Sequence, residues 1–148
     1  MSGVERKGRY HMEDIELKLL IGLHRVCNEI DRRSSQLVSK YNLSLGQFAV
    51  LEALYHKGDL SVGEVQRKIL SSSGTMPVII RNLEKRGYLE KTVDVMDKRK
   101  NILHITDKGK NLMKVIFPLN KELIKEAMSS WSREEQEFML KTLKKFGE

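Results

Sequence analysis

The chain has 148 residues but only one cysteine, one tryptophan and two prolines, with four tyrosines and four phenylalanines. Each scarcity excludes something. The single Cys27 cannot form an intramolecular disulfide, which agrees with a reducing compartment. No apolar run approaches the roughly 20 residues of a membrane-spanning helix; Phe48 to Leu51 is typical of the longest. The N-terminal stretch Met1 to Tyr10 carries Arg6, Lys7 and Arg9 without a following apolar segment and cleavage site, so it does not read as a secretory signal. A cytoplasmic protein is expected, with no membrane partner. Catalytic signatures are missing too: there is no Gly-rich phosphate loop, no G-x-S-x-G and no H-E-x-x-H. The adjacent carboxylates Glu13–Asp14 and Glu134–Glu135 fall at helix starts, where acidic side chains oppose the helix dipole. An enzyme is therefore not expected, nor is a cofactor or a resident metal. No repeat or low-complexity tract interrupts the chain.

What is present is a globular composition with an excess of positive charge. Hydrophobic residues make up 40% and charged residues 32%, outside the regime in which chains stay disordered. One domain is expected from the length. The net charge is +7, and between Glu64 and Lys110 there are 11 Lys and Arg against 6 Asp and Glu, so most of the excess is concentrated there. Such a local excess fits a polyanionic partner, although a solvated face produces the same pattern.

Periodicity and capping signals divide the chain into helices around one hairpin. Ile15, Leu19, Leu23, Val26, Ile30, Leu37 and Tyr41 favour one side of a long helix from about Glu13 to Tyr41. Ser44 with Gln47 forms a capping box that opens a second helix ending before Gly58, and Ser61 with Glu64 repeats the device for a short third helix to about Leu70. Ser71, Ser72 and Ser73 offer N-cap oxygens to a fourth helix, Gly74 to Arg86, with Pro77 in its first turn and Gly87 as its stop. After Gly87 the helical period is lost: Leu89 and Val93 stand among charged or polar residues, Leu103 and Ile105 alternate with His104, and the mostly charged stretch Asp94 to Lys100 lies between, as in a β-hairpin with a basic tip. Thr106 caps a fifth helix containing Pro118. Ser132 and Glu135 cap a sixth that runs through Phe146. The expected fold is mainly α with a small β-hairpin wing.

On the fourth helix Met76, Ile79, Ile80 and Leu83 share one face, Val78, Arg81 and Lys85 the opposite one, and Thr75, Pro77 and Asn82 flank them. A short helix, a tight connection and this helix make a helix-turn-helix, whose second helix enters the major groove of duplex DNA. Arg81 matches two acceptors of guanine, and Asn82 the edge of adenine. Lys98, Arg99 and Lys100 at the hairpin tip lie beside the backbone or in a narrow minor groove. The expected DNA-facing set is Ser71, Ser72, Ser73, Thr75, Pro77, Val78, Arg81, Asn82, Lys85, Lys98, Arg99 and Lys100. The wing and helix lack the interleaved aromatics that stack unpaired bases, which disfavours RNA. A module that binds only other proteins is the remaining alternative.

The stretch DKRKNILHITDKG, with Asp97, Arg99, Thr106, Lys108 and Gly109, resembles the wing signature of the MarR family of winged helix-turn-helix regulators; Ile105 stands where that family has leucine. SSGTMPVIIRNLEKRGYL is similar to its recognition helix and LGQFAVLEAL to its second helix. The resemblance implies a homodimeric transcriptional repressor in which Arg99 enters the minor groove, Asp97 steadies it and Gly74 to Lys85 reads the major groove. It further implies a DNA-binding lobe over residues 44–109 and dimerisation helices over 13–41 and 110–147. The length of those helices, and the apolar stripe of the sixth, independently point to a dimer. The same resemblance implies a small-molecule effector, often phenolic or anionic, that releases a pseudo-palindromic operator; His24, Cys27 and Asn28 on the first helix are the candidate contacts. His24 and Cys27 share a helical face, so a thiol redox sensor and a metal sensor are alternatives, but no third metal ligand accompanies them. A plain buried Cys27 is the favoured reading.

Overall fold

The computed structural model describes residues 14–69 and 75–147. Its first helix, α1 (Ile15–Ser39), starts after Asp14 and stops two residues before Tyr41. The stop has a local cause: Asn42 takes a positive φ of 60°, a conformation asparagine tolerates better than most residues, and the Leu43 N–H returns to the Val38 carbonyl. Helix α2 (Leu45–Lys57) carries the full Ser44–Gln47 capping box and ends at Gly58, φ 81°. A two-residue strand β1 (Leu60–Ser61) precedes α3 (Val62–Ile69). No periodicity can announce a strand that short. Because Ser61 belongs to β1, only half of the expected box forms there: its hydroxyl accepts from the Glu64 N–H at 3.2 Å, while the Glu64 carboxylate bonds that hydroxyl rather than the backbone.

Helix α4 (Met76–Lys85) has Thr75 at its N-cap position, later than the serine run implies, and Pro77 in its first turn. Strands β2 (Leu89–Val93) and β3 (Asn101–Ile105) form the expected hairpin, and β1 joins its other side to give an antiparallel sheet in the order β1-β3-β2. Leu60 and Lys91 both lie opposite Leu103, whose side chain is fully buried. Helix α5 (Asp107–Ala127) is capped by Thr106, accepting from the Gly109 N–H, and continues through Pro118. Helix α6 (Arg133–Leu143) bears the Ser132–Glu135 box but ends before Phe146, which is almost fully exposed.

The core lies where α2, α4 and the sheet meet the start of α5. Phe48, Leu51, Leu54, Leu83, Leu103 and Met113 fill it. Burial of side chains of this size stabilises by roughly 1.5–3 kcal/mol each, so this lobe carries most of what the chain supplies alone. Helix α1 contributes only Val38 to the apolar core, and its earlier apolar residues, Ile15, Leu19 and Leu23, stay in solvent.

The junction of hairpin and α5 explains three letters of the wing signature. The Thr106 hydroxyl donates to the Gly87 carbonyl at 2.6 Å, and Lys108 Nζ donates to the Arg86 carbonyl at 2.7 Å while lying 4.8 Å from the centre of the Tyr88 ring. Gly109 is buried, and a Cβ there would collide with the Tyr88 carbonyl oxygen. Thr, Lys and Gly together lock the end of α4 to the start of α5.

Candidate nucleic-acid interface

The inner face of α4 is Met76, Ile80 and Leu83, all buried, with Ile79 half-buried against α2. A Cβ on Gly46 would stand 3.0 Å from the Ile79 side chain, so the two helices pack closely there. Thr75, Pro77, Val78, Arg81, Asn82 and Lys85 are exposed. Ser71, Ser72 and Ser73 lie outside the described residues.

Asn82 is engaged within the chain. Its Oδ1 accepts from Gln47 Nε2 at 2.9 Å, and Arg86 Nη1 lies 3.5 Å from the same oxygen. Gln47 simultaneously closes the α2 capping box, its Oε1 accepting from the Ser44 N–H at 2.9 Å. Arg86 donates to the Asn42 carbonyl at 2.6 Å and rests over the Tyr88 ring. These bonds anchor the C-terminal half of α4 to the turn between α1 and α2. The capping signal of Gln47 is legible in the sequence; its second bond, to a residue 35 positions away, is not.

The tip of the hairpin is ordered by its two aspartates. Asp94 Oδ1 accepts from the Met96 N–H at 2.9 Å, and Asp97 Oδ1 accepts from the Arg99 N–H at 3.0 Å. The Arg99 guanidinium meets the same carboxylate at 3.2 Å, yet its side chain remains 91% exposed. The Arg99 backbone N–H first, and then its guanidinium, hold the Asp97 carboxyl below the usual carboxylate range. Lys98 and Lys100 are exposed beside it. Lower in the sheet, Asp59 Oδ2 lies 2.9 Å from His104 Nδ1, and Thr92 Oγ1 lies 2.7 Å from His104 Nε2. In the tautomer that donates Nδ1–H to Asp59, the Thr92 hydroxyl donates to Nε2, so one imidazole ties the chain before β1 to both strands of the hairpin.

Behind this lobe is a cleft of about 770 Å3, lined by Asp31 and Ser34 of α1, Phe48, Glu52 and His56 of α2, and Asn120 of α5. Ser34 Oγ donates to Asn120 Oδ1 at 2.8 Å, and the pair is buried. Burial raises the Glu52 carboxyl pKa, with His56 opposing the shift. The His56 ring sits edge-on to Phe117 at 4.5 Å between centroids. Nothing in the sequence points to this group, because it draws on three helices whose packing alone brings it together.

His24, Cys27 and Asn28 stand elsewhere, exposed on α1 and outside the lining of that cleft. The expectation that Cys27 is buried is not met. At its level the covered stripe of α1 is Val26, Glu29 and Ile30, and the thiol lies off that stripe. Among the described residues, no three His, Cys, Asp or Glu side chains gather as a metal site would require. None of the described helices is long and apolar enough to cross a membrane.

Residues 32–116 match the family model described as transcriptional regulator SarA/Rot. The HTH-type transcriptional regulator MhqR of Bacillus subtilis is 36% identical over 92% of this chain and 94% of its own length. A further B. subtilis relative, the uncharacterized HTH-type regulator YkoM, is 30% identical over 94% and 93%. Among solved structures, Bordetella bronchiseptica BpsR, described in terms of the regulation of its DNA binding by 6-hydroxynicotinic acid, superposes with a TM-score of 0.79 at 22% identity, covering 88% of this chain and 99% of that one. A cysteine-to-serine mutant of Escherichia coli MarR in complex with operator DNA gives 0.78 at 21% identity, covering 90% and 95%. With α3, α4 and the wing described, the chain belongs to the SarA/Rot transcriptional regulators, winged-helix proteins of MarR-like fold.

Proposed function

We propose that this regulator binds duplex DNA as a homodimer and that a small molecule in the cleft behind the lobe controls the binding. The observation that carries the DNA-binding part is the pairing of two exposed basic features on one lobe: the outer face of α4, with Arg81 and Lys85, and the wing tip, where Asp97 bonds Arg99, whose side chain is exposed. Val78 and Arg81 face base edges in the major groove and Arg99 enters the minor groove. Asn82, tied to Gln47, sets the pitch of α4 and contributes at most its amide N–H groups to an adenine.

Dimerisation is supported by apolar side chains that the chain itself leaves bare. Ile15, Leu19 and Leu20 on α1, and Phe138, Leu140 and Leu143 on α6, are all more than half exposed. Clustered apolar side chains left bare on two helices are the kind of surface that a two-fold partner covers. The cleft has the size of a small-ligand site, roughly 300–1,000 Å3 in general, and combines apolar walls with Asp31, Glu52 and His56.

The test is a selection of duplexes from a random pool, followed by anisotropy across a salt titration and sedimentation of the free protein. A palindromic site with half-sites roughly 34 Å apart, a steep salt dependence and a dimer are expected. Retention of no duplex above background at low salt would overturn the reading in favour of a protein-interaction module.

A further inference from the structure

The loop between β2 and β3 carries its cations beside two apolar side chains that nothing in the chain covers: Val95 and Met96 are each 92% exposed. Most other strongly exposed aliphatic residues of the described chain fall on α1, α5 and α6, away from this tip. The loop is rigidly braced. Besides the two aspartate bonds already described, the Asp94 N–H donates to the Lys100 carbonyl at 2.9 Å and the Lys100 N–H to the Asp97 carbonyl at 3.0 Å. Four hydrogen bonds within seven residues close the tip, and Val95 and Met96 are held out as a knuckle on a formed turn.

We propose that Val95 and Met96 pack against the deoxyribose walls of the DNA minor groove beside Arg99, giving the wing a contact whose strength does not depend on salt. The proposal rests on the DNA-binding reading above. The argument is one of matched surfaces. A partner that meets Lys98, Arg99 and Lys100 is a polyanion, and a partner that rewards two bare aliphatic side chains on the same short loop has apolar walls close to its charges. The minor groove offers both, with phosphates along its rims and sugar carbons on its sides, and aliphatic side chains are a recurrent means of engaging it. The bracing adds to this, since a knuckle already held in place loses little conformational freedom on contact. An anionic lipid surface also presents charge above carbon, but it has no use for the exposed outer face of α4 on the same lobe.

Charge and apolar contacts separate cleanly by salt. Neutralising a phosphate releases counterions and sets the slope of log K against log salt, whereas packing on a sugar shifts affinity by the same factor at every salt concentration. The experiment uses the full chain and a duplex recovered by selection with the parent protein. The double variant Val95→Ser, Met96→Ser is expected to bind about tenfold more weakly, about 1.4 kcal/mol, along a line parallel to that of the parent. Arg99→Ala is expected to flatten the slope. The apolar replacement Val95→Ile, Met96→Leu is expected to restore parental affinity, which a merely destabilised tip would not explain. Unchanged affinity of the serine variant, or a changed slope with no parallel offset, overturns the proposal while leaving DNA binding intact. Serine-sensitive binding to phosphatidylglycerol vesicles with unaltered DNA affinity overturns it in favour of a lipid surface. Failure of the parent to retain any duplex removes both this proposal and the reading beneath it.

Discussion

Gln47 Nε2 donates to Asn82 Oδ1 at 2.9 Å, so the residue that closes the α2 capping box also holds the fourth helix by its side chain. Two jobs meet in one amide. Its oxygen fixes where α2 begins, and its nitrogen fixes how α4 lies across it. Helix α2 also lines the cleft through Phe48, Glu52 and His56, so the helix that borders the cleft is the one that touches α4 through this bond and through the close Gly46–Ile79 contact.

Gln47→Ala keeps the Ser44 cap on the backbone N–H but loses the reciprocal bond to the Ser44 N–H, and is therefore expected to cost about 0.5–1 kcal/mol of stability and, separately, to weaken DNA binding. In a cycle with Asn82→Ala the two effects on affinity are expected to be non-additive, as for residues in direct contact. Strictly additive losses in the double variant would show that Asn82 acts on DNA independently of Gln47.

Arg81→Ala and Arg99→Ala are expected to differ in kind. The first relaxes base preference at one position of each half-site by roughly 1–3 kcal/mol, the value of a bidentate contact to guanine. The second weakens binding across unrelated sites and lowers the salt slope. Anisotropy on a panel of single-base variants of the selected site measures both. Parental behaviour of both variants would place the DNA-facing surface elsewhere.

Gly109→Ala is expected to destabilise the fold by about 2–3 kcal/mol, as overpacking against an immobile group does, because its Cβ meets the Tyr88 backbone as well as the Ile105 side chain, and the backbone cannot yield. The denaturant midpoint at fixed protein concentration measures it. Exposed Gly63, away from the proposed dimer helices and with only the flexible Arg67 side chain 3.5 Å from its Cβ position, is the control: Gly63→Ala should leave the midpoint unchanged or raise it.

Glu52→Gln tests the cleft. Burial raises the folded-state pKa of this carboxyl above its unfolded value, so its contribution to stability is fully present below the unfolded pKa and is lost as pH rises through the folded one. Removing the ionisation should raise Tm at neutral pH relative to the parent, with the gain shrinking as pH falls through the carboxylate range. A Tm difference that stays constant with pH would show that the carboxyl is not penalised by burial.

Cys27→Ser is expected to keep both operator binding and release by a ligand of the cleft, since the thiol does not line it. Within one chain Cys27 is exposed, which leaves its oxidation to be tested directly. If the parent is released by peroxide or quinone and the serine variant is not, the thiol is a sensor in its own right.

Much of the fold was legible because its signals are local. Ser44 with Gln47 and Ser132 with Glu135 are boxes closed within four residues, and Gly87 stops α4 by its own backbone freedom, φ 80°. The hairpin and its charged tip likewise follow from a change of period between neighbours. Elsewhere the same local logic overreached. The apolar stripe of α1 marked a face to be covered, but within the chain only the residues from Val26 onward find any cover, and Cys27 falls outside it.

By itself, then, the sequence determined where helices start, which of their faces are apolar and where positive charge gathers, since each depends on residues within a turn or two of one another. Only the tertiary structure decided that Asn82 is held by Gln47, that Ser34 pairs with Asn120 from 86 positions away, and that Gly109 must yield room to the Tyr88 carbonyl. Those partners are set by how helices pack, and the packing minimises the exposed surface of the whole lobe at once. No short window of sequence contains that sum.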